Sequence, residues 1–340
     1  MELFIRPLHV TSIRNVFALC CAAGLVTAFA ASVPAQTKAP RVDRESDPFP
    51  YVTRDRSTHL RFRVGLRIEA GGGIVQKITA TSPCPLEWPE QEITLVAEDA
   101  PFGAQIDTRK LSPTGQQMLI RIPGLTPGSA AVCTRTYELI RWTQRTTFDA
   151  KTKLVAVPPD RARNLLLPSD GIESTHAEIR KFASDAIGDK TKPWDRVNAL
   201  FAATRQRIKY TVGPFAGALA GLRSGQGDCE ELACLFIASC RASGIPARIV
   251  WGPEHTWAEF ALADPDDRLV WIPADPSKER ELGVINHYTP IFQKGDRFLV
   301  PEKPGKPQRY LLPMCTGVGS TPRLESIETI ELLNAPVSSR

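Results

Sequence analysis

The chain has 340 residues, with 42 Lys and Arg against 37 Asp and Glu, a formal charge of +5 and an isoelectric point near 8.8. A balance this mild, spread along the chain with no clustered basic stripe, argues against a nucleic-acid binder and predicts none as a partner. The length leaves room for two domains with real cores.

Residues 1–35 read as an export signal. Arg6 and Arg14 give a positive start, Val16 to Ala31 is uncharged and apolar, and Val33-Pro-Ala35 supplies small residues for cleavage. The run is short for a bilayer span of about 20 residues. The expectation is a periplasmic or secreted protein with no stable membrane insertion after cleavage; an uncleaved anchor is the alternative. Six cysteines lie beyond the signal: Cys84, Cys133, Cys229, Cys234, Cys240 and Cys315. In an oxidising compartment Cys84 and Cys133 form a candidate disulfide, the alternative being two buried thiols.

Residues 36–50 are polar and proline-bearing and read as a linker. From 51 to 157, short alternating runs such as Leu60–Ile68, Ile74–Ile78, Glu92–Val96, Gln117–Ile122 and Thr134–Ile140 are separated by Gly, Pro and Asp signals. This spacing predicts an all-β, sandwich-like domain. No chemical site emerges from it, and its role is open between a substrate-gripping or spacer module and a packing partner for the C-terminal half. Residues 158–315 open with two helical patterns, from Ser174 to Ala186 and from Pro193 to Ile208.

A third helix is predicted from Cys229 to Ser243, apolar on most sides and stopped by Gly244. Asp228 is a good N-cap, and Glu231 completes a capping box that places Cys229 at the first helical position. Backbone N–H groups and the helix dipole favour a thiolate there. Asp228, Glu230 and Glu231 oppose it, so a cationic partner is needed. His255 follows the Gly252-Pro253 turn on a predicted strand, with Trp257 and Glu259 on the same face. Glu259 is about 13 Å away along that strand, too far to hold the imidazole. Asp275 ends the next strand, Leu269–Pro273, and can reach it. Beyond Pro276, strands are expected near 297–300 and 309–312, and residues 316–340 read as a loosely held C-terminal tail. His59, His176 and His287 have no nucleophile signature beside them.

Gly-Asp-Cys at 227–229, Gly-Ile-Pro-Ala-Arg at 244–248, His-x-Trp at 255–257 and Asp-Pro at 275–276 together resemble the transglutaminase-like superfamily, in particular its bacterial secreted members. The resemblance spans about residues 160 to 280. It implies an α+β, papain-like core in which the cysteine helix packs on an antiparallel sheet, with Cys229 as nucleophile, His255 as base, Asp275 as orienting acid and Trp257 as the motif tryptophan. The Cys-to-His separation is shorter than in many relatives, leaving little room for a covering loop. No calcium-type acid cluster or zinc-type Cys-x-x-Cys pair is present, so neither cofactor nor metal is expected.

The expected activity is an exported, cysteine-dependent amide hydrolase, a peptidase or amidase, acting on a protein or peptide through a thioester acyl-enzyme. A protein-glutamine acyltransferase that cross-links, or a catalytically silent binding module, are the alternatives. The N–H of Cys229 is one oxyanion donor, and Gln226 is a candidate second. Neither the acyl substrate nor the oligomeric state is legible.

Overall fold

The computed structural model describes residues 50–338, so the expected export signal and almost all of the linker lie outside the described residues. Six strands come first: β1 (Val52–Glu69), β2 (Val75–Pro83), β3 (Gln91–Asp99), β4 (Gln105–Ser112), β5 (Gly115–Leu125) and β6 (Ala130–Thr146). The helical half comes next, with α1 (Phe148–Lys153), α2 (Pro159–Ala162), α3 (Ala177–Ile187), α4 (Pro193–Arg207), β7 (Lys209–Tyr210), α5 (Gly217–Ser224), β8 (Gln226–Gly227) and α6 (Cys229–Ala242). Then come β9 (Ala247–Gly252), β10 (His255–Ala263), β11 (Leu269–Ala274), β12 (Val284–Ile285), β13 (Gln293–Lys294), β14 (Met314–Gly319) and β15 (Arg323–Ser338).

Two antiparallel sheets make the sandwich. One runs β12-β6-β1-β15 with β3 also on β6, and the other runs β14-β2-β5-β4. Alternation along each strand turns one face inward, so that Phe62, Val64, Leu66 and Ile68 of β1 share a core with Ile78, Met118, Ile120 and Leu139. Neither thiol of the candidate disulfide is paired: Cys84 and Cys133 are both free and buried. Cys84 lies against the Tyr137 side chain of β6, and burial pushes both thiols up, to about 12 for Cys84 and about 11 for Cys133.

The α+β core is built on a further sheet of order β11-β10-β9-β13. Helix α6 packs on β9 and β10 and is wrapped by α3, α4 and α5. Its sequence has no polar stripe because every residue from Glu231 to Arg241 is buried. Phe201 of α4 meets Phe236 of α6 edge-on at 5.9 Å, and Phe236 meets Phe260 of β10 at 6.3 Å, so three elements share one aromatic contact line. At the far end of α6, Arg241 is clamped by Asp296 at 2.8 and 3.0 Å and donates to the Ala247 carbonyl.

The C-terminal segment departs from expectation. Residues 316–340 are not a loose tail over their described length: β14 pairs with β2 and the 16-residue β15 pairs with β1 along nearly its whole length. Residues 297–300 and 309–312 form no strand, only a single bridge between Phe298 and Gln308. The sandwich therefore draws strands from both ends of the chain, and no boundary at 157/158 separates it from the core, because β12 adds to β6 from beyond the cysteine helix.

Candidate active site

Asp228 caps α6. Its carboxylate accepts from the Glu230 N–H at 2.8 Å, and Glu231 accepts from the Asp228 N–H at 3.0 Å. The other Glu231 oxygen accepts from the Ala216 N–H at 2.8 Å, which ties the start of α5 to the start of α6. This fold-back demands glycine at 227, where a Cβ would stand 2.4 Å from the Glu231 Cβ. Cys229 is thus the first helical residue, half-buried. Burial pushes its thiol up to about 12, and the Asp228 carboxylate adds to the shift, while the Thr256 N–H facing the sulfur pulls the other way. An isolated thiolate is disfavoured here, so it needs a cation beside it.

Asp228 is itself perturbed. Burial and the charges of Glu231 and Glu230 raise its carboxyl to about 6. Asp228→Asn keeps a capping acceptor and removes the charge that raises the thiol most. The thiol titration of the variant, followed by haloacetamide alkylation, is expected to move down by about one pH unit. A move upward would contradict this assignment of charge.

His255 begins β10, directly after a tight turn in which Glu254 takes φ 55°. Its Nε2 lies 2.7 Å from Asp275 Oδ2, with both groups buried. That leaves Nδ1 as the nitrogen open to a second partner. Trp257, two residues along on the same face, stacks on the imidazole at 5.6 Å with planes 21° apart. Asp275 sits one residue past β11, and its Oδ1 accepts from Ser277 N (2.9 Å), Ser277 Oγ (2.6 Å) and Lys278 N (3.1 Å). Burial would raise this carboxyl, but the hydrogen bond from His255, the His287 imidazole beside it and the charge of His255 outweigh it and hold it well below the usual range.

Two further residues stand at this site: His287, which the sequence set aside as a lone histidine, and Tyr210, which it did not single out. His287 lies with Nε2 3.4 Å from Asp275 Oδ2, edge-on to His255 at 5.0 Å and to Trp257 at 4.9 Å. Tyr210 of β7 is joined to Gly227 by the parallel β7–β8 pairing, and its half-exposed phenol is raised by burial and by the charges of Cys229, Asp228 and Asp275. Gln226 is a different case. Its side chain is exposed and its backbone N–H is taken by Ser224 Oγ, so nothing in the geometry aims its amide at the sulfur.

His255, Asp275 and His287 are the one group among the described residues with metal-ligand chemistry, their ligand atoms lying within 4.8 Å of one another. The 2.7 Å contact between Nε2 and Oδ2 is closer than two ligands can stand on one tetrahedral ion with bonds of about 2.0–2.2 Å. The arrangement is that of a hydrogen-bonded pair.

A sequence profile described as the transglutaminase-like superfamily matches residues 180–276, which hold Cys229, His255 and Asp275. A Cytophaga hutchinsonii structure described as a "putative cysteine protease" is 16% identical, with TM-score 0.58 over 84% of this chain and 93% of that one. A Parabacteroides distasonis structure described as a "putative protease" is 14% identical over 62% of this chain and 42% of that one, with TM-score 0.26. No curated protein matches the chain. The profile match is confined to the segment that holds the cysteine helix and the β9–β11 strands, and the overall α+β fold is shared with the Cytophaga structure.

Proposed function

We propose that this chain is an exported cysteine-dependent amide hydrolase, a peptidase or amidase acting on a protein or peptide. The carrying observation is the buried 2.7 Å His255–Asp275 pair, placed one residue from the Thr256 N–H that faces the Cys229 thiol at a capped helix start. Cys229 passes its proton to Nδ1 of His255, and the thiolate attacks the amide carbonyl, forming the C–S bond. The oxyanion is held by the Cys229 N–H at the helix start, with the Tyr210 phenol at the mouth as a second donor in place of Gln226. The imidazolium then gives its proton to the leaving amine as the C–N bond breaks. Water, deprotonated by the same imidazole, resolves the thioester to a carboxylic acid and the free thiol.

Asp275 keeps the Nε2–H tautomer throughout and stabilises the imidazolium. Hydrolysis is favoured over amine transfer because the thiol is half-exposed and Tyr210 beside it is open to solvent, so water reaches the acyl group. No helix among the described residues is long and apolar enough to cross a membrane. Mass spectrometry of peptide pools incubated with the protein and a small primary amine distinguishes the outcomes: cleaved acids support the hydrolase, amine adducts an acyltransferase. Unchanged peptides with no acyl adduct on Cys229 leave a binding module.

A further inference from the structure

The loop that delivers His287 is held by the β-sandwich. β12 pairs Val284 and Ile285 with Arg145 and Gln144 of β6. Arg141 of β6 donates to the Thr289 carbonyl at 3.0 Å and lies near the Trp257 ring, at 6.0 Å from its centroid. The Gln91 amide clamps Ile291 from both sides, donating to its carbonyl at 2.9 Å and accepting from its N–H at 2.7 Å. The sandwich thus fixes residues 284–291 at three points, and the imidazole placed there stands over the His255–Asp275 pair. A loop anchored this firmly need not put a titratable group on a buried carboxylate for packing alone.

The polar accounting around His287 points the same way. Both ring nitrogens are buried and neither has a well-aligned partner, while Nε2 stands 3.4 Å from Asp275 Oδ2. Oδ1 is already filled by three donors from Ser277 and Lys278, and Oδ2 has taken one from His255. One lone-pair direction on Oδ2 remains, and the His287 Nε2–H is the donor beside it.

We propose that His287 is a positioning residue: its Nε2–H is the second donor to Asp275 Oδ2, and with its ring edge against His255 it fixes the carboxylate and the imidazole in the orientation that presents Nδ1 to Cys229. The sandwich is then part of the site's support, delivering this residue. The inference rests on reading Cys229 and His255 as a nucleophile and base. His287 acts as a neutral donor, consistent with burial and the neighbouring His255 and Arg141 holding its imidazole down to about 4 despite the opposing pull of Asp275. Hydrogen bonds at catalytic sites are often long before substrate binds and tighten when charge develops, which fits the 3.4 Å separation here.

The test is the rate of Cys229 alkylation by iodoacetamide across pH 5–9 on the full chain, for the wild type, His255→Ala, His287→Ala, His287→Gln and His287→Phe, with melting temperatures alongside. Partners that orient a metal-bound histidine are typically worth about 10–100-fold, and the lower end of that range is taken for this metal-free pair. His287→Ala is expected to lower the rate at pH 6 about 10-fold. His287→Gln, which keeps an N–H donor, is expected to restore most of it, and His287→Phe, which keeps only the ring, is not. Rescue by Phe and not by Gln, or no loss in any His287 variant, overturns the proposal. If His255→Ala also leaves the profile unchanged, it is the underlying reading of the pair that has failed. Independently of any variant, imidazole 15N NMR of the wild type should show His287 neutral with its proton on Nε2 between pH 5 and 8. A proton on Nδ1 alone, or a cation, would overturn the proposal.

Discussion

Asp275→Asn is expected to lower amide turnover by about 10³- to 10⁴-fold while leaving Cys229 and His255 in place. The Asp275 carboxylate accepts from His255 Nε2 at one oxygen and from Ser277 N, Ser277 Oγ and Lys278 N at the other. An amide can turn its NH2 toward His255, which moves the imidazole proton to Nδ1 and points an N–H at the thiol whose proton it must take. The loss should appear in kcat as much as in kcat/KM, because the interaction matters most when the imidazolium forms. The variant should also be less stable at neutral pH. Asp275 is held below its unfolded value, so its contribution is full above about pH 4 and fades as the pH falls through the folded value. The difference in melting temperature between wild type and variant should therefore narrow in acid.

The largest effect on stability is expected from Lys294→Ala. The Lys294 ammonium is buried between Glu90 at 2.6 Å and Glu259 at 2.5 Å, under the Trp88 ring, and Glu259 is also paired with Arg248 at 2.6 Å. Removing one partner of a buried ion cluster leaves charge uncompensated and costs about 3–5 kcal/mol. Glu90 suffers most, since Arg248 still neutralises Glu259. Burial would raise the Glu259 carboxyl, but Lys294 and Arg248 overcome this and bring it down to about 2. This contribution is present above about pH 4 and lost as the pH falls toward 2, so the wild type should show a steep acid limb in thermal melts and the variant a shallower one. The cluster joins β13, β10 and the segment before β3, which makes Tm of the whole chain the right readout.

Those residues also show how much of the site was legible in the sequence. Cys229, His255 and Asp275 stood out because each sits at a local signal: a capping box, a Gly-Pro turn, an Asp-Pro strand end. Glu259 was legible as too distant from His255, but its actual partners, Arg248 and Lys294, lie 11 positions before it on the neighbouring strand and 35 positions after it. His287 is only 12 positions past Asp275, yet nothing local marks it, because β12 must first pair with β6 across about 140 residues of sequence. Tyr210 is hidden for the same reason, since a two-residue parallel bridge to Gly227 brings it to the thiol.

The missed strands have a different cause. β15 is secured chiefly by backbone pairing to β1, with most of its described side chains exposed, so Arg323–Asn334 has no clean apolar alternation to read. Its glycine- and proline-bearing approach, from Gly317 to Pro322, looks like the start of a tail. The Cys84–Cys133 expectation failed because membership of one strand-rich region does not make two residues face each other: both are free, buried thiols. By contrast α3, α4 and α6 start and stop close to where their periodicity and punctuation predict.

The central claim is that Cys229 and His255 share a proton, and the most direct measurement is the pH dependence of Cys229 alkylation in the wild type and in His255→Ala. An ion pair formed with the imidazolium should keep the wild-type thiol reactive near pH 6, well below the range of a free cysteine of pKa about 8.5. His255→Ala should abolish that acid-side reactivity, since burial and the Asp228 carboxylate would then oppose the thiolate alone. Two superimposable curves, each rising only at alkaline pH, would contradict the account.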